Sequence, residues 1–144
     1  MARRRAGDRG WPDQTLSAVV LDSSVILAAI LGERGGDLVF DRIEEAIVGS
    51  VNVAELYSYA AIKDFPTDTI DAFFSDTGVE IVPFSLDHAV AAGGLAAVTR
   101  KAGLSLGDRS CLALAVGRDA EVLTADRVWA AVAGDVGLTI TLLR

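Results

Sequence analysis

The sequence predicts an α/β protein, a parallel sheet of four to five strands covered by helices on both faces. Short apolar runs of strand length alternate with stretches of helical periodicity along the chain, the pattern of repeated strand–helix–strand units. The 144 residues are 51% hydrophobic, which suits one domain burying roughly two-thirds of its unfolded surface. Residues 18–144 contain neither an internal repeat nor a linker.

Taken in order, Ala18-Val19-Val20-Leu21 reads as a buried strand ending at Asp22, and Ser23 or Ser24 is placed to cap a helix over 25–31. Gly32, Gly35 and Gly36 break it. Apolar residues at 39, 40, 43, 46 and 47 with acids between them predict an amphipathic helix over 37–48. Ser50 to Asn52 lead into a helix over 53–63, and Pro66 opens another through Phe73 and Phe74. Residues 79–83 alternate as a strand. A long alanine-rich helix over 86–101 follows, softened at Gly93-Gly94 and ended by Gly103. Ser105 starts a helix over 106–116, stopped by Gly117. A strand at 121–124, a short helix at 128–132 and a last strand at 138–142 complete the chain.

The formal net charge is −7, which argues against binding nucleic acid through a broad basic face. Residues 1–18 hold Arg3, Arg4, Arg5 and Arg9 against Asp8 and Asp13, so the rest of the chain carries −9. This start reads as a basic, disordered extension or an over-long start, leaving 19–144 as the domain. Gly10-Trp11-Pro12-Asp13-Gln14 separates the arginines from the first apolar run, and Asp22 interrupts that run, so an export signal is not expected. The apolar segment 25–31 is far short of the ~20 residues a membrane helix needs. The single cysteine, Cys111, cannot form an intramolecular disulfide, which suits the cytoplasm, and its apolar neighbours suit a buried thiol.

Phosphate loops, GxGxxG, CxxC, HExxH and GxSxG are all absent. The only histidine, His88, opens a helix, where facing solvent or capping accounts for it. What stands out is a set of acids at element ends: Asp22, Glu55, Asp108 and Asp126, separated by 33, 53 and 18 residues. In an open parallel sheet the carboxyl ends of the strands meet at one edge, where ligands bind. Each acid also has a local explanation. Asp22 and Asp126 precede helices, while Asn52-x-x-Glu55 and Ser105-x-x-Asp108 resemble capping boxes. Glu55 fits that explanation least, because its neighbours are apolar. Two carboxylates 4 Å apart repel by about 4 kcal/mol at an effective dielectric near 20, so a cluster needs protons, cations or a metal. All-oxygen donors select hard ions such as Mg²⁺ or Mn²⁺.

Four blocks, in order, are similar to those of PIN-domain ribonucleases, and more narrowly to VapC-type toxins of toxin–antitoxin pairs. They are Val19-Val20-Leu21-Asp22-Ser23-Ser24-Val25, Ser50-Val51-Asn52-Val53-Ala54-Glu55-Leu56, the run from Leu104 through Ala115, and Val122-Leu123-Thr124-Ala125-Asp126-Arg127-Val128-Trp129. The resemblance implies a three-layer α/β/α PIN-like fold and a Mg²⁺- or Mn²⁺-dependent endoribonuclease. Asp22, Glu55 and Asp108 match its acidic core, Asp126 its more variable fourth position, and Thr124 a hydroxyl supporting the metal site. Asp22 and Asp108 are the principal ligands expected, with Glu55 and Asp126 binding directly or through water, or orienting the attacking water. Ser23 stands where the family usually has threonine, and the 18-residue extension has no counterpart.

The resemblance also implies a cognate antitoxin and a homodimer. Val39, Phe40, Ile43, Tyr57 and Tyr59 form the docking area it suggests, although an ordinary core would use most of them. Arg100, Lys101, Arg109 and Arg127 are the candidate contacts to RNA phosphates, or else solvated surface charges. The alternative is a non-catalytic signalling or binding module with an acidic Mg²⁺ pocket. Such a receiver-like module needs a lysine after a late strand, and neither Lys63 nor Lys101 is so placed.

Overall fold

The computed structural model describes residues 18–144, and the expected basic extension therefore lies, apart from Ala18, outside the described residues. Strand β1 (Val19–Leu21) leads into α1 (Ser23–Leu31) and α2 (Asp37–Asp41). A 3-10 turn (Ile43–Glu45), β2 (Ala46–Gly49), α3 (Ser50–Lys63), α4 (Thr67–Thr77) and β3 (Glu80–Val82) follow. The second half holds α5 (Leu86–Gly94), α6 (Ala96–Thr99), α7 (Leu106–Arg118) and β4 (Glu121–Thr124). A 3-10 segment (Arg127–Val132), α8 (Ala133–Val136) and β5 (Ile140–Leu142) end the chain.

The five strands of the described residues are parallel, in the order β3-β2-β1-β4-β5. Neighbouring strand residues point to opposite faces, and the core divides accordingly. Val19, Leu21, Ala46, Val48 and Leu123 pack with α1 to α4, through Val25, Ile26, Leu56, Ala60 and Ile70. Val20, Ile47 and Val122 face the other way, onto Cys111, Leu112, Ala115 and Trp129 of α7 and the 3-10 segment. This is the three-layer α/β/α arrangement expected.

The helix expected over 37–48 is overturned in its second half. Residues 46–49 are β2, paired on one side with β1 and on the other with β3. A central parallel strand is buried on both faces and shows no alternation, so its apolar residues were absorbed into the helical spacing before them. The helix expected over 86–101 breaks at Leu95, just after the glycine pair, and α6 continues for one turn. Gly117 does not stop α7. The chain turns at Asp119, which takes the left-handed conformation (φ 50°) that aspartate tolerates better than most residues. Among the described residues, no helix is long and apolar enough to cross a membrane.

The chain runs outward from β1 through β2 to β3, then crosses back to place β4 on β1's other side. The carboxyl ends of β1 and β4 therefore straddle the topological switch point, where parallel sheets bind ligands.

Candidate active site

Asp22 follows β1 directly, and its backbone N–H continues the ladder to the Leu123 carbonyl at 3.1 Å. Its backbone takes the N-cap position of α1, but its side chain makes no cap hydrogen bond. The carboxylate is turned elsewhere. Its Oδ2 accepts from Ser24 Oγ at 2.6 Å and from Thr124 Oγ1, at the end of β4, at 2.9 Å. Neither Ser23 nor Ser24 caps the helix as expected. Ser24 serves Asp22 and also accepts from the Ala125 N–H at 3.0 Å, while Ser23 reaches across to α3.

Glu55 sits half-buried one turn into α3, and its Oε1 accepts from Ser23 Oγ at 3.0 Å and Asn52 Nδ2 at 2.8 Å. The capping box read into Asn52-x-x-Glu55 is not formed, because α3 already begins at Ser50 behind Gly49. The box at Ser105-x-x-Asp108 is formed in both directions, at 3.1 and 2.9 Å. Glu55 lies against the backbone of this same turn. A Cβ on Gly107 would stand 2.2 Å from Glu55 Oε2, so only glycine admits the carboxylate there.

Burial pushes the Asp22 carboxyl up from 3.8 to about 6; the Ser24 and Thr124 hydroxyls oppose this, while the charges of Asp108 and Glu55 add to it. The Cys111 thiol is pushed well above its ordinary range by complete burial and by the charges of Asp22, Asp108 and Glu55. Three of the four acids therefore act on common neighbours. Asp126 stands apart: it is exposed, and its Oδ1 caps the 3-10 segment by accepting from the Val128 N–H at 3.0 Å. Thr124 links the two regions, accepting from the Asp126 N–H at 3.1 Å while donating to Asp22.

Among the described residues, no three His, Cys, Asp or Glu side chains already enclose a position for an ion. The donor set nevertheless fits a divalent cation in two respects. Its atoms are hard carboxylate and hydroxyl oxygens, and among the described residues no cation pairs with buried Asp22. Asp22, Glu55 and Asp108 are the residues able to hold one. Asp126, like Asp108, commits one carboxylate oxygen to a cap.

The remaining residues of interest divide. Arg100, Lys101 and Arg127 are exposed. Arg109 is half-buried and donates from Nη1 to the Ala92 carbonyl at 3.1 Å, fastening α5 to α7. His88 is half-buried, and its side chain does not cap. Its Nε2–H donates to the Ser110 carbonyl at 2.7 Å, joining the same two helices, and only its backbone N–H meets the Ser85 cap. Val39 is buried in the core and Ile43, Tyr57 and Tyr59 are half-buried, so only Phe40 of the suggested docking set is exposed. Asn52 and Gly107 carry more than a cap or a turn. Because α3 begins at Ser50, the N-x-x-E spacing puts Asn52 and Glu55 on one helical face.

The PIN domain family profile matches residues 19–135, and the chain belongs to this family. Its fold is shared with a chain of VapBC2 from Rickettsia felis, solved bound to a DNA fragment from their promoter (TM-score 0.69, 17% identity, covering 87% of this chain and 98% of that one). DNA-bound VapBC from Salmonella typhimurium is also similar (0.69, 16% identity, 90% and 100%). VapBC-5 from Mycobacterium tuberculosis, a member of the VapBC family of toxin–antitoxin systems, gives 0.64 with 24% identity, covering 88% and 99%. No curated protein matches the sequence significantly.

Proposed function

We propose that this PIN domain is the toxin of a toxin–antitoxin pair, an endoribonuclease dependent on Mg²⁺ or Mn²⁺. PIN domains are generally nucleases, and the toxin–antitoxin neighbours support the narrower reading. The observation that carries it is Asp22: a buried carboxylate at the switch point, held by Ser24 and Thr124, and pushed up to about 6 by burial and by the charges of Asp108 and Glu55. A buried charge without a counter-ion weakens a fold, so its natural complement is a cation.

In this reading Asp22, Glu55 and Asp108 would hold the ion, and Asp126 would support it as a fourth carboxylate. When bound, such an ion supplies an activated water and offsets charge developing on the phosphodiester. Ser24 and Thr124 fix the Asp22 carboxylate by donating to one oxygen, which leaves Oδ1 for the site. Arg100, Lys101 and Arg127 are the proposed phosphate contacts, and Arg109 joins them through the guanidinium N–H groups that its bond to Ala92 leaves free. The proposed partners are RNA, a cognate antitoxin and a second copy of this chain, in the cytoplasm. Residues 19–144 form the nuclease domain in this reading.

Induction of the wild type should arrest growth and generate new RNA 5′ ends in a Mg²⁺-dependent manner. Asp22→Asn and Asp108→Asn should abolish both while remaining folded. Mg²⁺-dependent cleavage surviving in both variants would overturn the proposal.

A further inference from the structure

Asn52 is wholly buried in the first turn of α3, where a side chain of its size normally serves packing. Its Nδ2 instead donates to Glu55 Oε1 at 2.8 Å and to the Gly107 carbonyl at 3.3 Å. The first bond joins residues three apart on one helix. The second crosses to the turn of α7 that carries Asp108. Together with Ser23 Oγ, it commits Glu55 Oε1 to two donors, and among the described residues no hydrogen bond reaches Oε2. The carboxylate is further confined by lying in the space a Cβ of residue 107 would fill.

Stability alone does not explain an amide here. Asn52 Oδ1 is buried without a partner among the described residues, a cost that an apolar side chain would not incur. Nor are its two acceptors dependent on it. Gly107 O also receives Ser110 Oγ at 2.8 Å, and Glu55 Oε1 also receives Ser23. A leucine has the same branching, with methyl groups in place of the amide oxygen and nitrogen, and would remove the orphaned carbonyl.

We propose that Asn52 is a positioning residue for Glu55. It occupies one carboxylate oxygen, leaves the other available, and ties α3 to the turn bearing Asp108 so that the two acids keep a fixed separation. Its role rests on the reading of Glu55 as one of the cation-holding carboxylates. Groups that orient metal-binding side chains typically contribute about 10- to 100-fold in affinity.

The test is Mn²⁺ binding to chelator-stripped protein, followed by calorimetry, with melting in EDTA as the control for folding. Asn52→Leu should melt within a few degrees of wild type yet bind Mn²⁺ about tenfold or more weakly. RNA cleavage by this variant should recover as Mn²⁺ is raised, an effect that loss of packing would not produce. If Asn52→Leu fails to fold, Asn52→Ser carries the same expectation, because a hydroxyl is too short to span Glu55 and Gly107 together. Wild-type Mn²⁺ affinity in a folded Asn52 variant, while Glu55→Gln binds weakly, overturns the positioning role and leaves the cation site standing. Equal Mn²⁺ binding by wild type and Glu55→Gln instead removes Glu55 from the site, and the role of Asn52 with it.

Discussion

Replacing Asp22 by asparagine should stabilise the metal-free protein, and only at pH values where the aspartate is charged. The carboxyl sits at about 6 in the fold against an ordinary 3.8. A displacement of that size corresponds to about 3 kcal/mol favouring the protonated form when folded. Because the folded value is raised, the wild type loses this stability as pH rises from the unfolded value through the folded one. At pH 8 the penalty is fully present, and near pH 4 it has almost vanished. Asparagine keeps the shape, and its single carbonyl can accept both hydroxyls, since Ser24 and Thr124 donate to the same oxygen. The bonds lose their charge assistance, so the expected gain is about 1–3 kcal/mol at pH 8. At roughly 2–4 °C per kcal/mol, Tm should rise by about 2–12 °C. Thermal melts in EDTA between pH 4 and 8 would measure it. A variant no more stable than wild type at pH 8, or a gain independent of pH, would refute the burial argument. Millimolar Mn²⁺ should reverse the order, because only the wild type gains a ligand of its folded state.

Gly107→Ala should leave stability within about 1 kcal/mol, because alanine favours the helix while its Cβ displaces the Glu55 carboxylate. RNA cleavage should nevertheless fall at least about tenfold, and full activity with an unchanged melt would count against the close packing. Ser105→Ala should cost about 1 kcal/mol by urea denaturation, through loss of the α7 capping box. Chelator should abolish RNA cleavage before moderate salt does, since a protein of net charge −7 relies on few phosphate contacts. A steep salt dependence with EDTA-resistant activity would point to a basic binding face instead.

The parts of the site legible in the sequence are those set by local geometry. An apolar run ending in Asp22, or in Thr124, reads as a strand end because a buried strand tolerates no charge before it emerges. The Ser105–Asp108 box and the Asp126 cap were legible because their partners lie two or three residues away. The same local logic failed at β2, at Asn52 and at Asp22. β2 is fixed by pairing with β1 and β3, and Asn52 and Asp22 by Gly107 and Thr124, 55 and 102 residues away, so distant partners outweigh the local preference.

The amino-acid order by itself determined the alternation of strands and helices, and hence a parallel sheet with acids at its carboxyl edge. Only the tertiary structure decided which acids share an environment. The crossover that sets β4 beside β1 buries Asp22 under Thr124, and the approach of α3 to glycine 107 brings Glu55 against the turn of Asp108. Asp126, equally conspicuous along the chain, is left capping a turn. Charge repulsion and burial depend on distances in space, and those distances exist only once the sheet has ordered its strands.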